Sequence, residues 1–547
     1  MRRSWLIYTV LYAFFLSTMA WGELRKATKE DFLVGNPDNT YTSPGGHVGH
    51  YISNQMVSPF AVDVRDFGAV LDNTTDDSTA FTLAVAAANP NGTVVITGPM
   101  AMGSNGWAGL AFTYLNNVSI IGVGKGSIRL LFNPTQQPLN DICTGCYYPA
   151  IHISHSTGIR IKDLLFDTNG LNKQIFFLDN VTGGEVSGNT FLNHNTGVVS
   201  GFPNTASARS KYIRWENNTW DNNGYALGLG LGYTGYLDDG AVVIGNVFRD
   251  LRGSGIQGTW KNTDITGNTF INGINSINLG GCSEMGTNNS ITGNVFRNLT
   301  STAFRQDSSC GNYNQWMTVS NNTMDNMLGG ITPSLSKNYV MTGNIMTNIA
   351  SVGIGSDHMD NAIISGNRIS GTAASNISGI YVTQSLNYII DGNYVDGFSS
   401  GSGIYVSDYV YVDNTSTGWG IISNNIAQGN NWGVFLAGTV FGQNKVLLNN
   451  NVMFGNISYD FRTDRIDQVY GINNVYSTLL NTNNGPNLKY YVGSKAFSYG
   501  SAAPTDNTIS AATGDIVWNT GTDNVIGWKC TVAGSPGTWG AMQTVIP

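Results

Sequence analysis

A six-residue phrase recurs along this chain and limits its fold more than any other feature. The phrase is aliphatic-x-(Gly/Asn)-Asn-x-(Phe/aliphatic). It reads VSGNTF around Asn189, WENNTW around Asn218, IGNVF around Asn246, ITGNTF around Asn268 and ITGNVF around Asn294. Looser copies carry Asn322, Asn344, Asn367, Asn393, Asn425, Asn451 and Asn474. The markers lie 22 to 32 residues apart, with a mean near 26. Between them runs a second phrase, a small residue followed by Ile or Phe: GIQGTW, SINLGG, AFRQDS, GITPSL, GIGSDH, GIYVTQ and GIYVSD. Each repeat therefore holds at least two short strands and two turns. Its period-2 alternation excludes helical repeats, and the lack of regular leucines excludes leucine-rich repeats. What remains is a coil of strands stacked turn on turn, an all-β solenoid of the right-handed parallel β-helix type.

The marker asparagines are expected to occupy turns in left-handed geometry and to bond the asparagine of the next coil. They are structural residues, not catalytic ones. The Phe, Trp and Met that follow them are expected to stack in the core by the same register.

Composition agrees with many strands and short turns. Only 11% of the 547 residues are charged and 68 are glycine, while 41% are hydrophobic, enough to bury a large core. The net charge of −8 argues against a nucleic-acid partner, which calls for a basic face to neutralise phosphates. Arg2 and Arg3 precede an apolar run from Trp5 to Leu16, and Ala20-Trp21-Gly22 offers a cleavage site. Residues 1–22 thus read as a secretory signal peptide, which sends the mature chain outside the cytoplasm, secreted or periplasmic, with no membrane segment after cleavage. In that oxidising compartment Cys282 and Cys310, about one repeat apart, are placed to bridge neighbouring coils, and Cys143 and Cys146 to form a tight disulfide. Cys530 is left over.

Residues 62–88 read VDVRDFGAVLDNTTDDSTAFTLAVAAA. The pieces Asp66-Phe67-Gly68-Ala69, Asp72 and Asp76-Asp77-Ser78-Thr79-Ala80-Phe81 resemble the opening of the pectate-lyase-like superfamily, which includes polygalacturonases, β-helical β-1,3-glucanases and phage tailspikes. The resemblance implies a strand at the first piece and a capping helix at the last. The residues support the helix: Asp76, Asp77 and Ser78 are N-cap types, and an Ala-rich run from Thr79 to Ala88 follows. The expected organisation is an N-terminal extension over 23–60, the β-helix over 61–480, a Ser/Asn/Thr/Gly-rich linker over 481–512 and a small β module over 513–547. That last stretch resembles terminal modules of phage tail proteins and β-helix exoproteins. Its Trp518, Trp528 and Trp539 read as the core of a small β module ahead of a sugar-stacking surface.

The second phrase points to a site. Aligning on Ile256, Ile277, Phe304, Ile331, Ile354, Ile380 and Ile404 turns the next residue outward: Gln257, Asn278, Arg305, Thr332, Gly355, Tyr381 and Tyr405. Two residues further come Thr259, Gly280, Asp307, Ser334, Asp357, Thr383 and Ser407, and Lys261, Glu284 and His358 lie just beyond. In a chain so poor in charge, this clustering makes Asp307 and Asp357 the expected catalytic carboxylates, with Glu284 beside them. Arg305, His358, Lys261, Tyr381 and Tyr405 are expected to hold substrate. The two aspartates align two coils apart, about 9–10 Å between Cα atoms. That suits an inverting pair, while Glu284, one coil before Asp307, would suit a retaining one. The residue series of polygalacturonases is not reproduced. Asp238-Asp239 precedes Asn262-Thr263-Asp264, there is no Gly-His-Gly, and Arg209-Ser210-Lys211 comes too early.

Three function classes follow: an endo-acting glycoside hydrolase, a polysaccharide lyase, and a non-catalytic glycan-binding adhesin. All take a polysaccharide partner. A lyase could use calcium held by the same acidic residues, with Arg305 as base; otherwise no cofactor is implied. Scarce positive charge disfavours a polyanionic substrate and sets the hydrolase ahead of the lyase. The odd cysteine and the tail-protein-like C-terminus allow a homotrimer.

Overall fold

The computed structural model describes residues 40–42, 48–52, 55–56, 61–124, 126–132, 149–171, 175–193, 198–200, 210–222, 226–229, 238–280, 287–307, 314–372, 377–385, 387–407, 419–437, 445–464, 468–476, 480–481, 489–492, 495–500, 513–519, 525–534 and 537–543. Cys143, Cys146, Cys282, Cys310, Glu284 and Arg209 lie outside them.

The chain winds as a parallel β-solenoid with three strands per coil. One coil shows the pattern: Val242–Ile244, then Val247–Arg249, then Ser254–Gly258. The first pairs in parallel with Asp264–Thr266, the second with Thr269–Gly273 and the third with Asn275–Gly280. Each position therefore repeats one coil later on the same face, and three sheets run along the column. They are called here the first, second and third sheets in that order.

The marker asparagines sit at the corner between the first and second sheets and form a continuous ladder. From Asn189 to Asn474, each Nδ2 donates to the Oδ1 of the next marker at 2.9–3.0 Å. The backbone N–H of each also reaches that same oxygen, as Asn268 does to Asn294 at 2.9 Å. The second Nδ2 hydrogen goes to a backbone carbonyl of the preceding coil, Ile265 in the case of Asn294. The marker itself is not the left-handed residue. That role falls one position earlier, on Gly267 (φ 65°), Gly293 (φ 65°), Asn321 (φ 55°) or Gly343 (φ 64°). The Gly/Asn choice in the phrase is thus a backbone requirement, because these two residue types tolerate positive φ best. The amide that follows is chosen for its paired donor and acceptor.

The next inward position carries a stack of rings. Phe166, Phe191, Trp220, Phe248, Phe270 and Phe296 lie with successive centroids 4.6–5.2 Å apart and nearly parallel planes. The register continues the column as Met324, Met346, Ile369 and Val395, all 0% exposed. Phe248→Leu removes one ring from the middle of the stack while keeping an apolar group there. It is expected to cost about 1–2 kcal/mol in denaturant unfolding, through lost ring contacts and imperfect refilling.

The N-terminal end closes with the helix expected from residues 76–88, with two local corrections. The helix runs Ser78–Ala88 and buries Ala80, Phe81, Ala84, Val85 and Ala88. Asp77 stands at its N-cap but makes no side-chain cap bond. Its carboxylate accepts from the backbone N–H of Val70 and Leu71 instead, tying the preceding loop to the helix. The strand expected at Asp66–Ala69 lies earlier, at Ala61–Asp63, and Val64–Phe67 is a 3-10 turn. Asp63 ends the strand because its side chain accepts from the N–H of Arg65, and Gly68 closes the turn at φ 95°.

At the other end, Lys489–Val492 pairs with Gln468–Ile472 of the first sheet and leads through Lys495–Gly500 to three strands, Ile516–Asn519, Val525–Val532 and Thr538–Gln543. Trp528 and Trp539 in these strands are half-buried. The side chain of Trp518 lies outside the described part. Among the described residues no helix is long and apolar enough to cross a membrane.

Candidate functional site

The third sheet carries the row that the second phrase marks. Its buried side is Ile256, Ile277, Phe304, Ile331, Ile354, Ile380 and Ile404, each 0% exposed. The adjacent outward row runs Gln257, Asn278, Arg305 and Thr332, then Gly355, Tyr381, Tyr405, and on to Phe435 and Arg462. The last two were missed because the Gly-Ile signature fades there. The phrase continues as Gly433-Val434-Phe435 and Asp460-Phe461-Arg462, and an apolar residue followed by an aromatic or cation is the signal that would have found them.

Along this row lies a groove of about 660 Å³, a size that accommodates a small oligosaccharide segment. Gly355 forms its floor: a Cβ there would approach the Val352 side chain to 3.1 Å. Arg305, Thr332, Pro333 and Ser334 stand on one side, and Tyr381, Tyr405 and Trp432 on the other. The rings form a platform. Tyr381 and Tyr405 stack at 4.9 Å, and Phe435 meets Tyr405 edge-on at 5.2 Å. The Arg462 guanidinium lies 4.4 Å from the Phe435 centroid and 5.1 Å from that of Trp432.

The row two residues on is less open than the sequence suggests. Thr259, Thr383 and Ser407 are 2%, 9% and 7% exposed. Alternation alone turns them outward, but they stand at strand ends where the chain bends into the corner, and the neighbouring coil covers them. Ser334 in this row is half-buried, and it lines the groove. Arg305 pairs with Thr332, which sets Asp307 one rung before Ser334, and Ser334 pairs with Asp357, so the two aspartates lie on the rungs either side of Ser334. The side chains of Asp307 and Asp357 lie outside the described part.

The backbone beneath them is pinned from inside by Gln306. Its Nε2 donates to the carbonyls of Ser334 and Leu335, and its Oε1 accepts from Ser336 Oγ and the Tyr339 hydroxyl. Burial pushes the Tyr339 phenol well above its ordinary pKa, so it stays a neutral donor to that amide.

Two other expected substrate contacts stand apart. Lys261 forms an ion pair with Asp239 at 3.4 Å and does not line the groove. It lies on Trp260–Lys261, where the chain turns toward the first sheet, and Asn262 donates to the same Asp239 at 2.8 Å. His358 occupies a left-handed corner (φ 54°), as do Leu335 (φ 47°) one coil before and Gln384 (φ 50°) one coil after. Its place follows the corner geometry, and it is not among the groove residues. Arg214, on an earlier coil, forms an ion pair with Glu216 at 2.5 Å.

This geometry can be set beside known proteins. The N-terminal fragment of gene product 12 of bacteriophage phi29 superposes with a TM-score of 0.54 at 14% identity, covering 80% of this chain and 75% of that one. The pre-mature form of the same phage protein gives 0.53 at 13% identity over 80% of this chain. The shared fold is the parallel β-helix. The chain spans 59% of the length of the pre-mature phage protein. The tailspike of E. coli bacteriophage HK620, solved with a hexasaccharide, is similar at a TM-score of 0.48 and 12% identity, over 79% of this chain and 84% of that one. A family model described as periplasmic copper-binding protein (NosD) matches residues 280–413. Among the described residues no group of three His, Cys, Asp or Glu side chains could hold a metal ion. Comparison with curated proteins by sequence returns no match. Likeness at these identities carries the fold.

Proposed function

We propose that this protein binds a polysaccharide in the third-sheet groove and hydrolyses it, with Asp307 and Asp357 as the carboxylate pair. The observation that carries the reading is the position of Ser334. It lines the groove and belongs to the rung between the two aspartates. Two rungs separate their Cα atoms by about 9–10 Å, near the ~6.5–9.5 Å carboxyl separation of inverting glycosidases, which leaves room for the attacking water. Arg305 and the Tyr381–Tyr405 platform hold the sugar chain, the rings through the apolar faces of pyranoses and the guanidinium through hydroxyl or carboxylate oxygens. Glu284 is the proposed supporting carboxylate. The proposed site of action is extracellular or periplasmic, after removal of residues 1–22, and a trimer is compatible with the reading.

A second reading has its own support. The described residues lining the groove include no carboxylate, so a non-catalytic glycan binder would use the same platform. One experiment separates the readings: purified protein on a polysaccharide panel, followed by reducing-end assay and ultraviolet absorbance together. New reducing ends alone support the hydrolase. Both signals indicate a lyase, which eliminates and leaves an unsaturated product. Binding with neither signal indicates an adhesin, and no binding to any glycan overturns the glycan reading. Within the glycan reading, Tyr405→Ala is expected to weaken binding about tenfold, since an aromatic platform contact contributes ~1–1.5 kcal/mol.

A further inference from the structure

Between Arg305 and Tyr405 the outward row of the third sheet has one position without a side chain. Gly355 lies there, with Thr332 on the rung before and Tyr381 on the rung after. Its backbone does not call for glycine, because Gly355 is outside the left-handed region. Gly401, which also lines the groove, is different. A Cβ there would meet the Ile377 carbonyl oxygen at 1.7 Å, so the close approach of two backbones requires glycine. At Gly355 the three atoms nearest to such a Cβ are all side-chain methyl carbons, two of Val352 at 3.1 and 3.5 Å and one of Thr332 at 3.7 Å. The bare position is therefore a notch in the groove floor with methyl walls.

The edge beside the notch is apolar too. Val352 is half-buried and Ile377 is 38% exposed, and both line the groove. The hydroxyls beside it are turned to the backbone. Thr332 Oγ1 donates to Phe304 O at 3.2 Å, and Ser378 Oγ donates to Ile377 O at 2.6 Å. A hydroxyl has one proton to give, so neither can donate to a ligand carbonyl at the same time. Water over methyl carbons gains no bond from them, and an apolar group that displaces it is favoured. A sugar hydroxyl turned into the notch would exchange water for carbon and bind less well.

We infer that the notch over Gly355 is a subsite for the C6 methyl of a 6-deoxyhexose, so that the glycan taken by the groove contains such a sugar. The inference rests on the glycan reading above and deepens it. Gly355 and Asp357 share the strand Ile354–Asp360, so the deoxysugar sits beside the proposed cleavage point. An acetyl group also ends in a methyl, but it brings a carbonyl to which Thr332 and Ser378 have no proton left to donate.

The test uses two pairs of glycosides that differ only at C6: methyl α-L-rhamnoside against methyl α-L-mannoside, and methyl α-L-fucoside against methyl α-L-galactoside. The methyl glycoside of N-acetylglucosamine represents the acetyl source. Each is titrated into the full-length protein in saturation-transfer NMR, which detects weak binding and shows which sugar protons touch the protein. In at least one pair the 6-deoxy sugar is expected to bind about tenfold tighter than its partner, a difference of ~1.4 kcal/mol, with its strongest saturation at the C6 methyl. Gly355→Ala fills the notch and Val352→Ala removes its wall, and each should bring that pair within about threefold. Unchanged thermal melts show that a variant is folded, and Val352→Ala alone decides if Gly355→Ala is not. A preference below about threefold in both pairs, one that stays above it in the folded variants, strongest saturation away from the C6 methyl, or tighter binding of the N-acetyl sugar each overturn this inference alone. So does failure to bind any of these glycosides by a protein that binds a polysaccharide on the wider panel. Failure to bind any glycan on that panel overturns the function reading, and this one with it.

Discussion

Asp307→Asn and Asp357→Asn, made separately, are each expected to lower glycan cleavage by about 10²–10⁴-fold, the contribution of a positioned general acid or base. Asparagine keeps the shape and removes the titration, so binding of the substrate should survive. The physical ground is the cost of putting carboxylates there. Strands disfavour aspartate, and two on nearby rungs of one face repel each other. A hydrolase of this kind needs one protonated acid and one ionised base. The pair predicts a bell-shaped pH dependence of kcat/KM in the parent protein, with one limb lost in each variant. Rates within tenfold of the parent for both folded variants would sink the assignment. Asp238, Asp239 and the Arg209–Arg214 segment would be the next place to look, although Asp239 is already engaged by Lys261 and Asn262.

The parts of this molecule that were legible in the sequence are those that repeat. The ladder keeps one register over its twelve markers and the ring stack over six coils, so spacing alone places Asn294 on Asn322 and Phe270 on Phe296. The outward row was readable for the same reason as far as Tyr405. It became unreadable at Phe435 and Arg462, where Gly-Ile gives way to Gly-Val and Asp-Phe. Three kinds of information were not in the pattern. Alternation does not reveal where a strand ends, so Thr259, Thr383 and Ser407 read as exposed though the corner buries them. A lone charge does not announce its partner, so Lys261 looked available when Asp239 holds it. A motif fixes function less tightly than backbone, so His358 read as a substrate contact where the corner position accounts for it, as it does for Leu335 and Gln384.

The ladder itself yields the largest expected effect on stability. Asn294→Ala should destabilise the solenoid by about 4 kcal/mol, measured by denaturant unfolding. The side chain takes part in four bonds: Oδ1 accepts from the N–H and Nδ2 of Asn268, and Nδ2 donates to Ile265 O and Asn322 Oδ1. All four are buried, and Asn294 is 0% exposed, so no water replaces the lost partners. Orphaned buried groups cost roughly 1–3 kcal/mol each, and at least two are left on Asn268 alone. Asn294→Asp tests the donor side separately. Its carboxylate can still accept but cannot donate, and burial of the charge is costly at neutral pH. Because burial raises the folded-state pKa of that aspartate, its penalty should grow as pH rises and ease as pH falls. The contrasting site is Asn298 in the exposed ladder of the next corner, bonded to Asn272 and Asn326 at 3.1 and 2.9 Å. It adopts φ 54°, so Asn298→Gly keeps the backbone while removing both bonds. Water can solvate what is left there, and the cost should stay within about 1 kcal/mol. If Asn294→Ala were as mild as Asn298→Gly, the buried amide column would be a by-product of the turn, and the backbone and ring stack alone would set the register.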